Sequence, residues 1–410
     1  MMQFTGLEYL KMDIARSYGL DKATWQERLD WYTRNSHIVE HADTDTIAEH
    51  AREAEEPAQF FAGILAMRDT LEGKPSGFLC SLDATASGVQ LLSIFSGCIK
   101  SASTCNLINT GNREDAYTSC YRHMNSIVKP TVEIPRNAVK DALMTALYGS
   151  EKVPRDTFGE DTPELMAFYQ TVGETLPGAN NLNLLLKSFW QPNNYKHSWI
   201  LPDGYEVHIN VMDTVEQEFT FNGDVFSMAK TVNRPVENGR SIPANVIHSI
   251  DGMVVREMGR RCNYSEDTLQ ALRDISEYAE IPSTSRLKDL QLMQVLTMHE
   301  ETKFMSAVVL EYLDKDNLAM LSPEADQAIA DLISTLPEKP FPVLCIHDCF
   351  KFHGNNGNDV RQQYINILAE LADADIMSII ATQITGQSTA VNKINQNLSD
   401  FIRKSEYAIC

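Results

Sequence analysis

Arg136-Asn-Ala-Val-Lys140-Asp-Ala-Leu-Met144-Thr145-Ala-Leu-Tyr148-Gly149 is the stretch of this 410-residue chain that decides how the rest is read. Pro135 stands where a helix tolerates proline, and Gly149 supplies a stop, so the stretch predicts a helix. Arg136, Lys140, Met144 and Tyr148 are four residues apart and lie along one ridge of it. Two cations and a phenol on one face suit a polyphosphate, with the ring beside a base or sugar. A solvated face with Tyr148 half in the core gives the same spacing, and for an isolated helix that plainer reading wins.

Two other segments change the balance. Upstream, the β-prone run Gly77-Phe-Leu-Cys-Ser-Leu leads into Asp83-Ala-Thr-Ala-Ser87-Gly88, and apolar periodicity through Val89–Cys98 predicts a helix after it. An aspartate at a strand end can offer its carboxylate and a backbone carbonyl to a hard cation. It can equally cap the following helix. Downstream, Phe341-Pro-Val-Leu-Cys-Ile and Phe350-Lys-Phe-His predict two short strands, with His347-Asp348 at the turn between them. Alone, His-Asp is a turn dipeptide. Together, two carboxylates on neighbouring strand ends can bind a pair of Mg²⁺ ions roughly 3.5–4 Å apart for in-line phosphoryl transfer. A cationic helix beside them would hold a triphosphate.

In this order, Asp-x3-Ser-Gly, Arg-x3-Lys-x3-Met-Thr-x2-Tyr-Gly and His-Asp resemble the three catalytic motifs of the single-subunit RNA polymerases of phages and mitochondria. The likeness extends to Leu10-Lys11, Gly19-Leu-Asp21-Lys22 and Glu27-Arg28. It includes Pro243-Ala-Asn245-Val-Ile-His248-Ser249-Ile-Asp251 and the tail Ser405-Glu406-Tyr407. His197–Leu201 and Tyr205–Val211 flank Pro202-Asp203-Gly204 as a hairpin that resembles the family's specificity loop. The resemblance implies an α+β fold: a right-hand palm and fingers, mostly helical, with a small antiparallel palm sheet and no thumb or amino-terminal domain. It divides the chain into a helical palm insertion (1–75), palm (76–98), fingers (99–247, with the hairpin near 197–211), palm again (248–261 and 341–410) and a helical insertion (262–340). It implies that Asp83, the Ala84 carbonyl and Asp348 bind two Mg²⁺ ions. Asp83, Asp348, Lys140 and Tyr148 would be catalytic, while Arg136, Lys140, Tyr148, Gly88, His248 and Lys22 would bind the ribonucleoside triphosphate. His347 would orient the turn.

DNA polymerases of the same superfamily share the aspartates and the Arg/Lys helix, and they are the alternative. Their glutamate five residues after the first metal-binding aspartate blocks a ribose 2′-hydroxyl; here that position is Gly88. Met144-Thr145 before Tyr148 also follows the RNA polymerases, so ribonucleotides, a DNA template and an RNA product are expected. A non-catalytic palm-like scaffold is the second alternative, but it would be expected to have lost an aspartate or Lys140. The family's Asp-x-x-Gly-Arg element has no counterpart here. A second polypeptide carrying it and the thumb is therefore expected, a layout resembling the split, two-chain RNA polymerase II of phages of the N-four type.

The net charge of −21 runs against nucleic-acid binding, which rests on basic residues. Glu40–Glu56 alone carries seven carboxylates against Arg52. A basic cleft in an acidic shell, or a basic partner, would reconcile the two. No apolar run is long enough to cross a bilayer and no secretory pattern opens the chain, so no membrane partner is expected. Eight cysteines without a CxxC pair read as reduced thiols in a cytoplasm, that of an infected bacterium if the source is a phage.

Overall fold

The computed structural model describes residues 1–128, 134–275, 287–314, 317 and 321–410. The chain is mostly helical with small antiparallel sheets, an α+β fold. The strands are β1 (Cys80–Asp83), β2 (Lys196–Ile200), β3 (Glu206–Asn210), β4 (Met212–Phe221), β5 (Asp224–Asn233), β6 (Leu344–Ile346) and β7 (Cys349–Phe352). They form one sheet in the order β1-β7-β6 and two separate hairpins, β2-β3 and β4-β5.

The three-stranded sheet is where distant parts of the sequence meet. Cys80 and Leu82 face Phe352 and Phe350 across the β1–β7 ladder, and all four are buried. Each such apolar side chain contributes about 1.5–3 kcal/mol by leaving water. Helices Gly6–Ala15, Ser241–Cys262 and Gly357–Asp373 pack against the sheet, and Ser87–Ser96 packs against the last two. The Gly6–Ala15 helix, capped reciprocally by Thr5 and Glu8, is buried at Tyr9, Leu10 and every residue from Met12 to Ala15. It is a core helix more than an amphipathic surface one.

Buried polar side chains tie these elements together. The Gln90 amide donates to the Ala408 carbonyl (2.8 Å) and the Cys105 carbonyl (3.1 Å), and its oxygen accepts from the Tyr364 hydroxyl (2.8 Å). Arg361 reaches the Met2 carbonyl at 2.8 Å and the Glu406 carboxylate at 3.0 Å. The segment Ser405–Cys410 is thereby fixed against the sheet, and Ala84 and Ile409 form a bridge beside β1.

Within 262–340 the described residues form helices Glu266–Ile275, Leu287–Thr302, Val309–Tyr312 and Pro323–Thr335. Leu269, Leu292, Val295, Leu310 and Ile329 make a second, smaller core there. Positions 276–286, 315, 316 and 318–320 of the expected helical insertion lie outside the described residues. No helix among the described residues is long and apolar enough to cross a membrane.

Candidate active site

β6 and β7 are joined by two residues, because Ile346 already pairs with Cys349. His347 turns the chain with a positive φ of 54°, and Asp348 follows at the tip. Asp83 sits directly opposite Cys349 on the neighbouring strand. The Ala84 amide donates to the Asp348 carbonyl at 3.0 Å, which locks the two acidic segments side by side. Asp83 therefore does not cap a helix: the Ser87–Ser96 helix begins at Ala86, in a left-handed conformation and without a side-chain cap. The Ala84 carbonyl accepts no hydrogen bond among the described residues.

The electrostatics agree with that proximity. Burial raises the pKa of Asp348, and the charge of Asp83 raises it further, against hydrogen bonds from its own backbone and Ser87. Burial and Asp83 likewise push the Cys349 thiol up to about 12, so it stays protonated and bonds to the Asp83 carboxylate. Two carboxylates in mutual repulsion form a site that favours a divalent cation. Among the described residues no group of three or more His, Cys, Asp or Glu side chains could hold a metal. Mg²⁺ does not require one, since one or two carboxylates plus substrate phosphates usually bind it.

A cleft of about 200 Å³ opens beside Asp83. Its wall brings together five residues expected from the sequence, Lys22, Asp83, Ala84, Arg136 and Lys140, which span more than a hundred positions. The Arg136–Leu147 helix starts at Pro135 and ends at Tyr148, as its sequence predicts. Arg136 is not merely solvated: its guanidinium pairs with the Asp115 carboxylate and donates to the Thr118 hydroxyl at 2.8 Å. Although burial opposes it, hydrogen bonds from Thr118 and Arg136 hold the Asp115 carboxyl below its usual range. Lys140 lies over the Tyr117 ring, 5.7 Å from its centroid, and has no ion-pair partner among the described residues. Lys22 stands at the rim, 3.3 Å from Asp21.

Tyr148 and His248 stack, with ring centroids 4.5 Å apart and planes 15° from parallel. Burial raises the Tyr148 pKa and lowers that of His248, so both rings are neutral near pH 7. The Tyr148 hydroxyl stands over Gly88, where a Cβ would lie 2.3 Å from it. The room expected at Gly88 is thus occupied by the phenol of Tyr148.

Residue types alone did not single out Arg16, Arg113, Asp115 and Tyr117, which also line the cleft. Arg16 joins Asp13 to Glu56, and Asp13 accepts from the Ser81 amide behind β1. Asp251, one helical turn after His248, is a half-buried carboxylate, and the Ser87 hydroxyl donates to it at 3.4 Å. Burial, with Asp348 second, pushes its pKa up to about 6. That shift weakens the fold as pH rises from about 4, where the unfolded chain releases the proton, to about 6, where the folded chain does. Asp251→Asn is therefore expected to match the parent's thermal stability at pH 4 in EDTA. It should exceed it by roughly 1–2 kcal/mol above pH 6.5, as measured by thermal unfolding across that range.

Residues 2–157 match the model of the family described as DNA-dependent RNA polymerase. A DNA-directed RNA polymerase of Pseudomonas phage phiKMV is 24% identical over 324 residues, covering 66% of this chain and 40% of that protein. A probable DNA-directed RNA polymerase of Neurospora crassa is 31% identical over 161 residues, 35% of this chain and 18% of that protein. A mitochondrial DNA-directed RNA polymerase of the same fungus is 26% identical over 164 residues, 35% of this chain and 12% of that protein. The chain thus spans less than half the length of the curated relatives it matches. The stretch matched by the family model holds Asp83, Arg136, Lys140 and Tyr148.

Proposed function

We propose that this chain is the catalytic subunit of a DNA-directed RNA polymerase of the phage and mitochondrial single-subunit type. It adds ribonucleotides to an RNA 3′-end on a DNA template. One observation carries the reading: Asp83, Ala84, Arg136, Lys140 and Lys22 share a single cleft whose floor is hydrogen-bonded to the Asp348 turn. In this reading 76–98, 248–261 and 341–410 are palm, 99–247 fingers, and 1–75 and 262–340 insertions.

Asp83, the Ala84 carbonyl and Asp348 would hold two Mg²⁺ ions, whose chemistry is to polarise the α-phosphate and acidify the primer hydroxyl. Lys140, held among the described residues only by the Tyr117 ring face, can swing onto the triphosphate. Arg136 can exchange Asp115 for phosphate, and both cations offset the charge that gathers on the departing pyrophosphate. Lys22 adds charge at the rim. The Tyr148 hydroxyl, kept protonated by burial, can donate to or accept from a ribose 2′-hydroxyl, and the His248 stack fixes its ring. His347, exposed at its positive φ, shapes the turn that presents Asp348.

The acidic balance of −21 supports a second polypeptide that supplies much of the basic grip on the template. A phage origin, with the host cytoplasm as the place of action, fits the phiKMV relative. The test is Mg²⁺-dependent extension of an RNA primer on a DNA template, by the chain co-expressed with the products of neighbouring genes. Ribonucleotides should be used in strong preference to deoxyribonucleotides. Equal use of both, unaffected by Asp83→Asn, would overturn the proposal.

A further inference from the structure

Among the described residues, the cations lining the cleft beside Asp83 are Arg16, Lys22, Arg113, Arg136 and Lys140. Most of them meet a carboxylate where they stand. Arg16 is held between Asp13 and Glu56, Lys22 lies 3.3 Å from Asp21, and Arg136 pairs with Asp115. Arg113 is different. Its Nε donates to the Cys410 sulfur at 3.0 Å, and its two Nη groups have neither a hydrogen bond nor an ion pair among the described residues. The adjacent carboxylate does not neutralise it, because Glu114 instead accepts from the Thr110 hydroxyl at 2.8 Å. A guanidinium presents its N–H donors in a rigid fork, and here the outer part of that fork is left for a ligand.

The fork is also held in place. The Asn106 side chain grips both backbone groups of Glu114, donating to its carbonyl at 2.8 Å and accepting from its amide at 2.6 Å. Asn106 is buried, and its own carbonyl accepts from the Ser405 hydroxyl at 2.6 Å. Arg113 is thus fixed at the backbone through its neighbour and at the side chain by Cys410. Cys410 in turn pairs through both backbone groups with Asp83, at 2.9 and 3.3 Å. Two residues beyond Arg113, Asp115 holds Arg136. Arg113 is therefore tied on one side to Asp83 and on the other to the start of the cationic helix. A polyphosphate running from a cation at Asp83 toward Arg136 meets it on the way, and a guanidinium fork matches phosphate oxygens two at a time. We propose that Arg113 is a further phosphate-binding residue, whose Nη groups take the β- and γ-phosphates of the incoming ribonucleoside triphosphate and then the departing pyrophosphate. This role rests on the polymerase reading above.

The test is primer extension by the full chain co-expressed with the products of neighbouring genes, comparing the parent with Arg113→Ala. Inorganic tripolyphosphate is the probe, since it carries the phosphates without base or sugar. Losing a charge-assisted contact of this kind should raise both the ribonucleotide KM and the inhibition constant of tripolyphosphate at least about tenfold. Affinity for primed template and the preference for ribonucleotides should stay at parental values. Arg113→Lys keeps the charge without the fork and should fall between the two. Arg113→Gln keeps most of the side chain's length and decides the matter if alanine unfolds the chain. A folded variant with parental KM and inhibition constant would overturn the proposal. So would a loss confined to template affinity, which would assign the guanidinium to the template backbone. The parent separates the two readings. If it extends no primer, the polymerase reading fails and the role of Arg113 with it. If it extends while the variant takes tripolyphosphate as well as the parent does, only the role of Arg113 fails.

Discussion

Asp348→Asn is expected to lower the rate of nucleotide addition on the order of a thousandfold, without weakening the fold. The chemical half follows from position. Asp348 stands at the tip of a two-residue turn beside Asp83, where a charged oxygen is needed to hold a cation against the reacting phosphate. A neutral amide keeps the shape and loses that charge, and deleting a single preorganised electrostatic contact costs about 10²–10³ in rate elsewhere. The folding half follows from the raised pKa. Burial and the Asp83 charge favour the protonated carboxyl in the folded chain, so the ionised form opposes folding at neutral pH. Asparagine removes that opposition. In EDTA the variant should unfold at the parent's temperature or above, while added Mg²⁺ should stabilise the parent alone. Single-turnover extension and thermal unfolding with and without Mg²⁺ check both halves. A variant retaining a tenth of parental activity would refute the assigned role.

Much of this site was legible in the sequence because its signals are local. Pro135 and Gly149 bound the cationic helix, and two strands flank His347-Asp348 as predicted, although the first forms only over Leu344–Ile346 and not from Phe341. The Pro202-Asp203-Gly204 turn joins β2 and β3 as its residues suggest. Spacing could not decide whether Asp83 caps a helix. That answer depends on the left-handed Ala86, which starts the helix three residues later. Nor could it show that Arg136 rests on Asp115, since that pair spans two helices.

Other features were hidden for different reasons. Asn222-Gly223 is a strong hairpin signal, yet the runs beside it alternate Phe, Thr, Glu and Val without announcing that their apolar face stays uncovered. The backbone pairing of Asp83 and Thr85 with Cys410 and Ala408 joins residues more than three hundred positions apart. No periodicity records such a pairing, although it holds β1 from its other edge. Asp251 stood in the sequence only as the last residue of the Pro243–Asp251 resemblance, without a role, because burial and the nearness of Asp348, not its neighbours in sequence, set its behaviour.

Gly88→Ala is expected to reduce discrimination between ribo- and deoxyribonucleotides at least tenfold, and to cut kcat/KM for ribonucleotides on the order of a hundredfold. The added Cβ would lie 2.3 Å from the Tyr148 hydroxyl and 2.9 Å from the ring carbon that bears it, closer than atoms can pack. The ring cannot yield by sliding along its own plane without leaving the His248 stack at 4.5 Å. Nor can the glycine retreat, because it lies in the first turn of the largely buried Ser87–Ser96 helix. Tyr148 must therefore move by about an ångström, a displacement that can cost 10² in rate when a positioning group is involved. Overpacking of this kind also costs about 1–3 kcal/mol of stability. Tyr148→Phe separates the hydroxyl from the ring: it should lose sugar discrimination while leaving ribonucleotide kcat and thermal stability near the parent's. Combining the two changes relieves the 2.3 Å contact but leaves the 2.9 Å one, so part of the lost stability should return. Paired kinetics with ribo- and deoxyribonucleotides, and unfolding of all three variants, measure that coupling. Additive losses would show that Gly88 and Tyr148 act separately, against the contact that places one over the other.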